Sequence, residues 1–130
     1  VIVLDASVVV EMLLGTEAGQ RIAPRVLSTE ESRHAPHLLD AEVAQVVRRY
    51  WLAGEIDEQR GQEMLEDLAA LPVNRHAHTI LLPRIWELRN SVSAYDAVYL
   101  ALSEALQATL VTRDSGLAAA ARGLSSVELL

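Results

Sequence analysis

Two short runs of apolar, β-branched residues constrain this chain most: Val1–Leu4 near its start and Thr109–Thr112 near its end. Neither alternates with polar residues, so each predicts a strand covered on both faces, which is the situation of a parallel sheet between two helical layers. The segments between them carry helical periodicity. Val8–Leu14 reads as a short helix stopped by Gly15, and Glu17–Leu27 as a second one. Ser28–Arg33 is a polar loop, and His34-Ala35-Pro36 holds a brief strand limited by its proline. From about Leu38 to Gly54, Leu39, Val43, Val46, Val47 and Tyr50 form one apolar stripe of a helix. Asp57–Leu71 predicts another, with Met64, Leu65, Leu68 and Leu71 on its buried side. A strand follows at Val73–Arg75. Thr79–Arg89 then places Leu81, Leu82, Ile85 and Leu88 at helical spacing, with Pro83 in the first turn. Ala94–Ala108 is apolar on nearly every side and predicts a helix buried between other elements. Asp114–Arg122 is an alanine-rich helix, and Val127–Leu130 a terminal strand. Strands joined through helices predict one domain over residues 1–130, an α/β fold of three layers (α/β/α) around a central parallel sheet.

Composition removes several chemistries. There is no cysteine, which excludes disulfides, thiolate metal sites and cysteine nucleophiles and makes a reducing cytoplasm the expected location. All 11 basic residues are arginines, so no mechanism here uses a lysine. A net charge of −7 gives no basic arm to attract nucleic acid, and any such substrate needs local help from cations. No apolar run is long enough to span a membrane. The chain opens without methionine, which suggests a trimmed terminus, and Val1–Leu4 reaches Asp5 with no basic segment before it, unlike a secretory signal.

In open parallel sheets, ligands bind beyond the carboxyl ends of the strands, where this sequence puts Asp5 and Asp114. Each is also a good helix N-cap. Asp96 closes the stretch Ser93-Ala-Tyr-Asp96, which has capping-box spacing. Glu42 and Asp40 flank opposite sides of the stripe on the Leu38 helix, and periodicity does not choose between them. Several carboxylates gathered at one sheet edge repel unless a cation neutralises them, and oxygen donors suit Mg²⁺ or Mn²⁺. Ser7 and Thr112 stand two residues from Asp5 and Asp114, placed to orient a carboxylate, a water or a phosphate oxygen, or to cap helix and strand ends. Arg113 is placed to contact phosphate or simply to be solvated. The four histidines, His34, His37, His76 and His78, form no three-ligand zinc motif and are expected at the surface.

The ordered set Val-Leu-Asp5-Ala-Ser7, Leu-Leu-Asp-Ala-Glu42-Val, Ser93-Ala-Tyr-Asp96-Ala-Val-Tyr-Leu-Ala-Leu and Leu-Val-Thr112-Arg-Asp114 resembles PIN domains, and most of all toxins of the VapC type. The likeness spans nearly the whole chain. It implies a metal-dependent endoribonuclease, the toxin of a type II toxin–antitoxin pair, hydrolysing RNA with Mg²⁺ or Mn²⁺. By that resemblance Asp5, Glu42, Asp96 and Asp114 are the acidic catalytic set. Asp5 and Asp96 are expected as direct metal ligands, Asp114 as ligand to a second ion or through water, and Glu42 as a ligand or a residue that positions water. Ser7 and Thr112 are the polar supports. It further implies a homodimer and a cognate VapB-type antitoxin that presents an arginine to the acids. Receiver and haloacid-dehalogenase phosphotransferases also place Asp after the first strand but need a lysine, which this chain lacks. The alternative is a non-catalytic, metal-dependent protein-binding module similar to von Willebrand A domains, whose Asp-x-Ser-x-Ser loop nearly matches Asp5-Ala-Ser7-Val-Val9.

Overall fold

The computed structural model of the chain describes all 130 residues. Five parallel strands form one sheet: β1 (Ile2–Leu4), β2 (Arg33–Pro36), β3 (Asn74–His76), β4 (Thr109–Thr112) and β5 (Val127–Leu129), in the order β3-β2-β1-β4-β5. The apolar runs at the two ends of the sequence are therefore neighbours at the centre of the sheet, with Val3 opposite Leu110.

The pleat explains why those runs are apolar throughout. Ile2, Leu4, Ala35 and Val111 face one core, built with α1 (Ala6–Leu14), α2 (Glu17–Val26), α3 (Leu38–Leu52) and α4 (Glu58–Ala70). Val3 and Leu110 point the other way, into a second core with α5 (Leu82–Glu87), α6 (Ala94–Leu106) and α7 (Ser115–Ala121). This is the three-layer arrangement expected from the sequence. Helix α6 is its innermost helix: Ala97 to Ser103 are buried without a break, which is why no polar face interrupts its sequence.

Chain direction reverses at β1. The first two crossovers step outward from β1 to β2 and β3, covering one face; the chain then returns across the sheet to β4 and β5 and covers the other. The gap between the carboxyl ends of β1 and β4 is thus a topological switch point, where adjacent loops diverge and leave a crevice.

Several elements differ in detail from the sequence reading. Helix α1 begins at Ala6, directly after Asp5, two residues earlier than the apolar periodicity indicates. The strand expected at Val73–Arg75 runs from Asn74 to His76 because its pairing with β2 sets the register. The single helix expected over Thr79–Arg89 is a 3₁₀ turn, Thr79–Leu81, followed by α5. Pro83 lies in the first turn of α5, and the change of pitch turns Leu82 outward to 54% exposure while Leu81, Ile85 and Leu88 stay buried. Leu65, expected inside, is exposed on α4, and Val46 and Tyr50 are only partly buried on α3. No helix is long and apolar enough to cross a membrane.

Candidate active site

At the switch point an open cleft of about 420 Å³ is lined by Asp5, Ser7, Glu11, Glu42, Val46, Asp96, Arg113 and Asp114, among others. All four acids of the expected set lie on it, each delivered by a different element.

Asp5 follows β1 and occupies the N-cap position of α1, yet its side chain makes no cap bond. It points instead along the sheet edge, 7% exposed, where Oδ2 accepts from the hydroxyls of Ser7 (2.6 Å) and Thr112 (2.7 Å). Each hydroxyl oxygen in turn accepts a backbone N–H: Arg113 donates to Ser7 Oγ and Asp114 to Thr112 Oγ1, both at 3.0 Å. The two polar residues thus lock Asp5 to the β4–α7 turn and leave Oδ1 without a protein donor. They orient a carboxylate, one of the roles their positions in the sequence allow.

Asp114 does cap. Its Oδ1 accepts from Gly116 N (2.8 Å) and Leu117 N (3.1 Å) at the start of α7, while the exposed carboxylate still borders the cleft. Asp96 is half of a capping box only: Ser93 Oγ accepts its N–H at 3.1 Å, but the Asp96 carboxylate does not reach back and faces the cleft. Glu42 accepts at Oε1 from the Tyr99 hydroxyl at 2.7 Å. Asp40, which periodicity could not separate from Glu42, faces away and pairs with Arg75 at 2.9 Å.

The electrostatics record the crowding. Burial, with the charges of Asp114 and Asp5, pushes the Asp96 carboxyl above the ordinary aspartate range. Burial also raises Glu42, helped by Asp5 and Asp96 and opposed by the Tyr99 hydrogen bond. Tyr99 itself is 1% exposed and held firmly protonated by burial and by the Glu42 carboxylate, so its hydroxyl is a fixed donor. Sequence reasoning missed Tyr99 and Glu11. Tyr99 stands three residues beyond Asp96 on one helix face, which was the available signal. Glu11 likewise lies about one turn beyond Ser7, at i+4 on α1, and is steadied by the Thr16 hydroxyl at 2.5 Å.

The donor set fits a hard divalent cation. Every group offered is an oxygen, and the uncompensated carboxylates gain from any cation that enters. No three His, Asp or Glu side chains stand close enough to cage an ion by themselves. Mg²⁺ is characteristically held by one or two carboxylates and keeps several waters, which that spacing suits. The histidines offer no rival site, although only His37 is exposed as expected. His34 and His76 are half-buried and hydrogen-bond each other across β2 and β3, Nδ1 to Nε2, at 2.8 Å. Val9, standing where an adhesion module has its second loop serine, is fully buried in the core and cannot approach an ion.

A three-layer parallel α/β domain thus gathers four carboxylates at its switch point, where open α/β sheets bind their ligands. The family model for the PIN domain matches residues 2–123, and the chain belongs to that family. Ribonuclease VapC1 of Mycobacterium tuberculosis is 45% identical over 119 residues, covering 91% of this chain and 89% of that protein. Among solved structures, PAE2754 from Pyrobaculum aerophilum aligns with a TM-score of 0.75 at 18% identity, over 97% of this chain and 81% of that one. A toxin–antitoxin complex from Klebsiella pneumoniae aligns at 0.68 and 17% identity, over 98% and 96%. These two likenesses concern the fold.

Proposed function

We propose that residues 1–130 act as one PIN domain, a Mg²⁺- or Mn²⁺-dependent endoribonuclease that serves as the toxin of a type II toxin–antitoxin pair. The observation that carries this reading is the convergence of Asp5, Glu42, Asp96 and Asp114 on one cleft with no ion pair to neutralise them. The 45% identity to a protein named as a ribonuclease supports RNA as the substrate.

Asp5, through its free Oδ1, and Asp96 would hold the cation directly, with Asp114 acting through water or on a second ion. When bound, it supplies the positive charge that polarises a phosphodiester, lowers the pKa of water and stabilises the leaving oxygen. Ser7 and Thr112 keep Asp5 in a single orientation, so the geometry exists before substrate arrives. Glu42, with Oε1 fixed by Tyr99 and a raised proton affinity, is suited to accept a proton at Oε2 from the attacking water. The acidity of the cleft also suits inhibition by an antitoxin that inserts an arginine, and a VapB-type protein encoded beside the toxin is the expected partner. The active unit is a homodimer in the cytoplasm.

The test is cleavage of total RNA by purified chain with Mn²⁺ or Mg²⁺, against EDTA and the Asp5→Asn and Asp96→Asn variants. Discrete fragments that vanish in all three controls are expected. Fragments that persist in the variants would overturn the site. Metal-dependent binding of a protein ligand with no cleavage of any RNA would overturn the activity.

A further inference from the structure

Resting on the ribonuclease reading above, we infer that Arg113 is the residue that grips the RNA backbone, its guanidinium holding phosphodiester oxygens at the rim of the carboxylate cleft. The chain faces a specific difficulty: it carries a net charge of −7, has no lysine, and must bring a polyanion against a row of carboxylates. Arg113 is the one cationic side chain lining that cleft. Its neighbours are Asp5, Glu11, Glu42, Asp96 and Asp114, yet it pairs with none of them. The side-chain ion pairs of the chain use Arg21, Arg25, Arg60, Arg75 and Arg84. An arginine with a purely structural role that shares a cleft with five acids would be expected to pair with at least one.

The backbone beneath it is fixed all the same. The Arg113 N–H donates to Ser7 Oγ, and the next N–H, of Asp114, to Thr112 Oγ1. Both hydroxyls also hold Asp5, so the Cα that carries the guanidinium is registered to the carboxylate expected to bind the cation. A fixed base with an uncommitted planar fork matches bidentate recognition of a phosphate, which a lysine reproduces only as a point charge. Backbone phosphate contacts position a nucleic acid without reading its sequence, so Arg113 contributes affinity and register while specificity lies elsewhere.

The experiment measures binding of a short fluorescent single-stranded RNA to the cleavage-blocked Asp96→Asn chain, with and without Arg113→Gln or Arg113→Lys, across a salt series. Cleavage of the same RNA is followed in the Asp96 background. Any of these substitutions keeps the backbone N–H to Ser7, and thermal melts verify the fold. Arg113→Gln is expected to weaken binding about tenfold, the loss of one charge-assisted contact. It should also lower the slope of log affinity against log salt by roughly 0.7. In cleavage it should raise KM more than it lowers kcat, and Arg113→Lys should recover part of the affinity. Unchanged affinity and slope in Arg113→Gln, while the unmodified chain cleaves, overturn the assignment alone. An unmodified chain that neither binds nor cleaves RNA overturns the ribonuclease reading, and the assignment with it.

Discussion

Asp40 and Glu42 are two residues apart on one helix and have opposite fates. A step of two residues turns a helix by roughly 200°, so α3 sends one acid toward the β2–β3 edge and the other toward the switch point. At the edge every charge is answered. Arg75 Nε bonds both Asp40 oxygens at 3.1 and 2.9 Å, and its other nitrogens donate to the carbonyls of Leu68, Leu71 and Val73. His34 bonds both His76 and the Ser32 hydroxyl at 2.8 Å. In the cleft the donors are a tyrosine, two hydroxyls and backbone N–H groups, and no cation is paired. Acidic side chains on one helix are paired where the protein supplies a counter-charge, and on the proposed reading functional where that charge comes from outside.

The largest expected effect is at Asp96. Asp96→Asn should reduce RNA cleavage by on the order of 10³-fold, about 4 kcal/mol of transition-state stabilisation. It should also raise the melting temperature of the metal-free chain at pH 7. The sign follows from the raised pKa: the folded state resists ionisation of this carboxyl, so stability present below the ordinary aspartate range is lost as pH rises through the raised value. An uncharged amide removes that loss, and calorimetry in EDTA measures it. A lower melting temperature would mean that the carboxylate is held by structure after all.

Next is Thr112→Val, which keeps the shape of a fully buried side chain and removes one donor to Asp5 and the acceptor for Asp114 N. Cleavage should fall about 10–100-fold, the usual effect of losing a support behind a metal ligand, the role proposed for Asp5. At the edge the consequences should reverse. Arg75→Ala should cost about 2 kcal/mol in denaturant unfolding, from lost hydrogen bonds and an unpaired Asp40, with cleavage per folded molecule unchanged.

The smallest effect is at His34. Burial, then His76 and the N-terminus, hold its pKa below 6.5, so it contributes stability at higher pH that is lost as pH falls through the folded value. His34→Gln should flatten the melting temperature against pH on the acidic side of 6.5. A profile unchanged by the substitution would remove the His34–His76 pair from the account.

The sequence by itself determined the layers and the sheet edge at which the acids gather. Continuous apolar runs at Val1–Leu4 and Thr109–Thr112 require strands covered on both faces, and the apolar surround of Ala94–Ala108 requires a central helix; each is a local pattern with a long-range meaning. The acids after those strands pointed to the sheet edge where the cleft lies, and the ordered motifs pointed to the right family. Tertiary structure decided what periodicity leaves degenerate. Whether Asp40 or Glu42 joins the site depends on which neighbour packs beside α3. Whether Asp5 caps its helix or turns its carboxylate along the sheet edge depends on a donor arriving from elsewhere, Thr112, 107 positions away, just as the orientation of Glu42 depends on Tyr99, 57 positions away. Spacing along a chain fixes which face of an element a side chain occupies. The counter-charge waiting on that face is fixed only when distant segments pack, because hydrogen bonds and Coulomb interactions act through space and not along sequence.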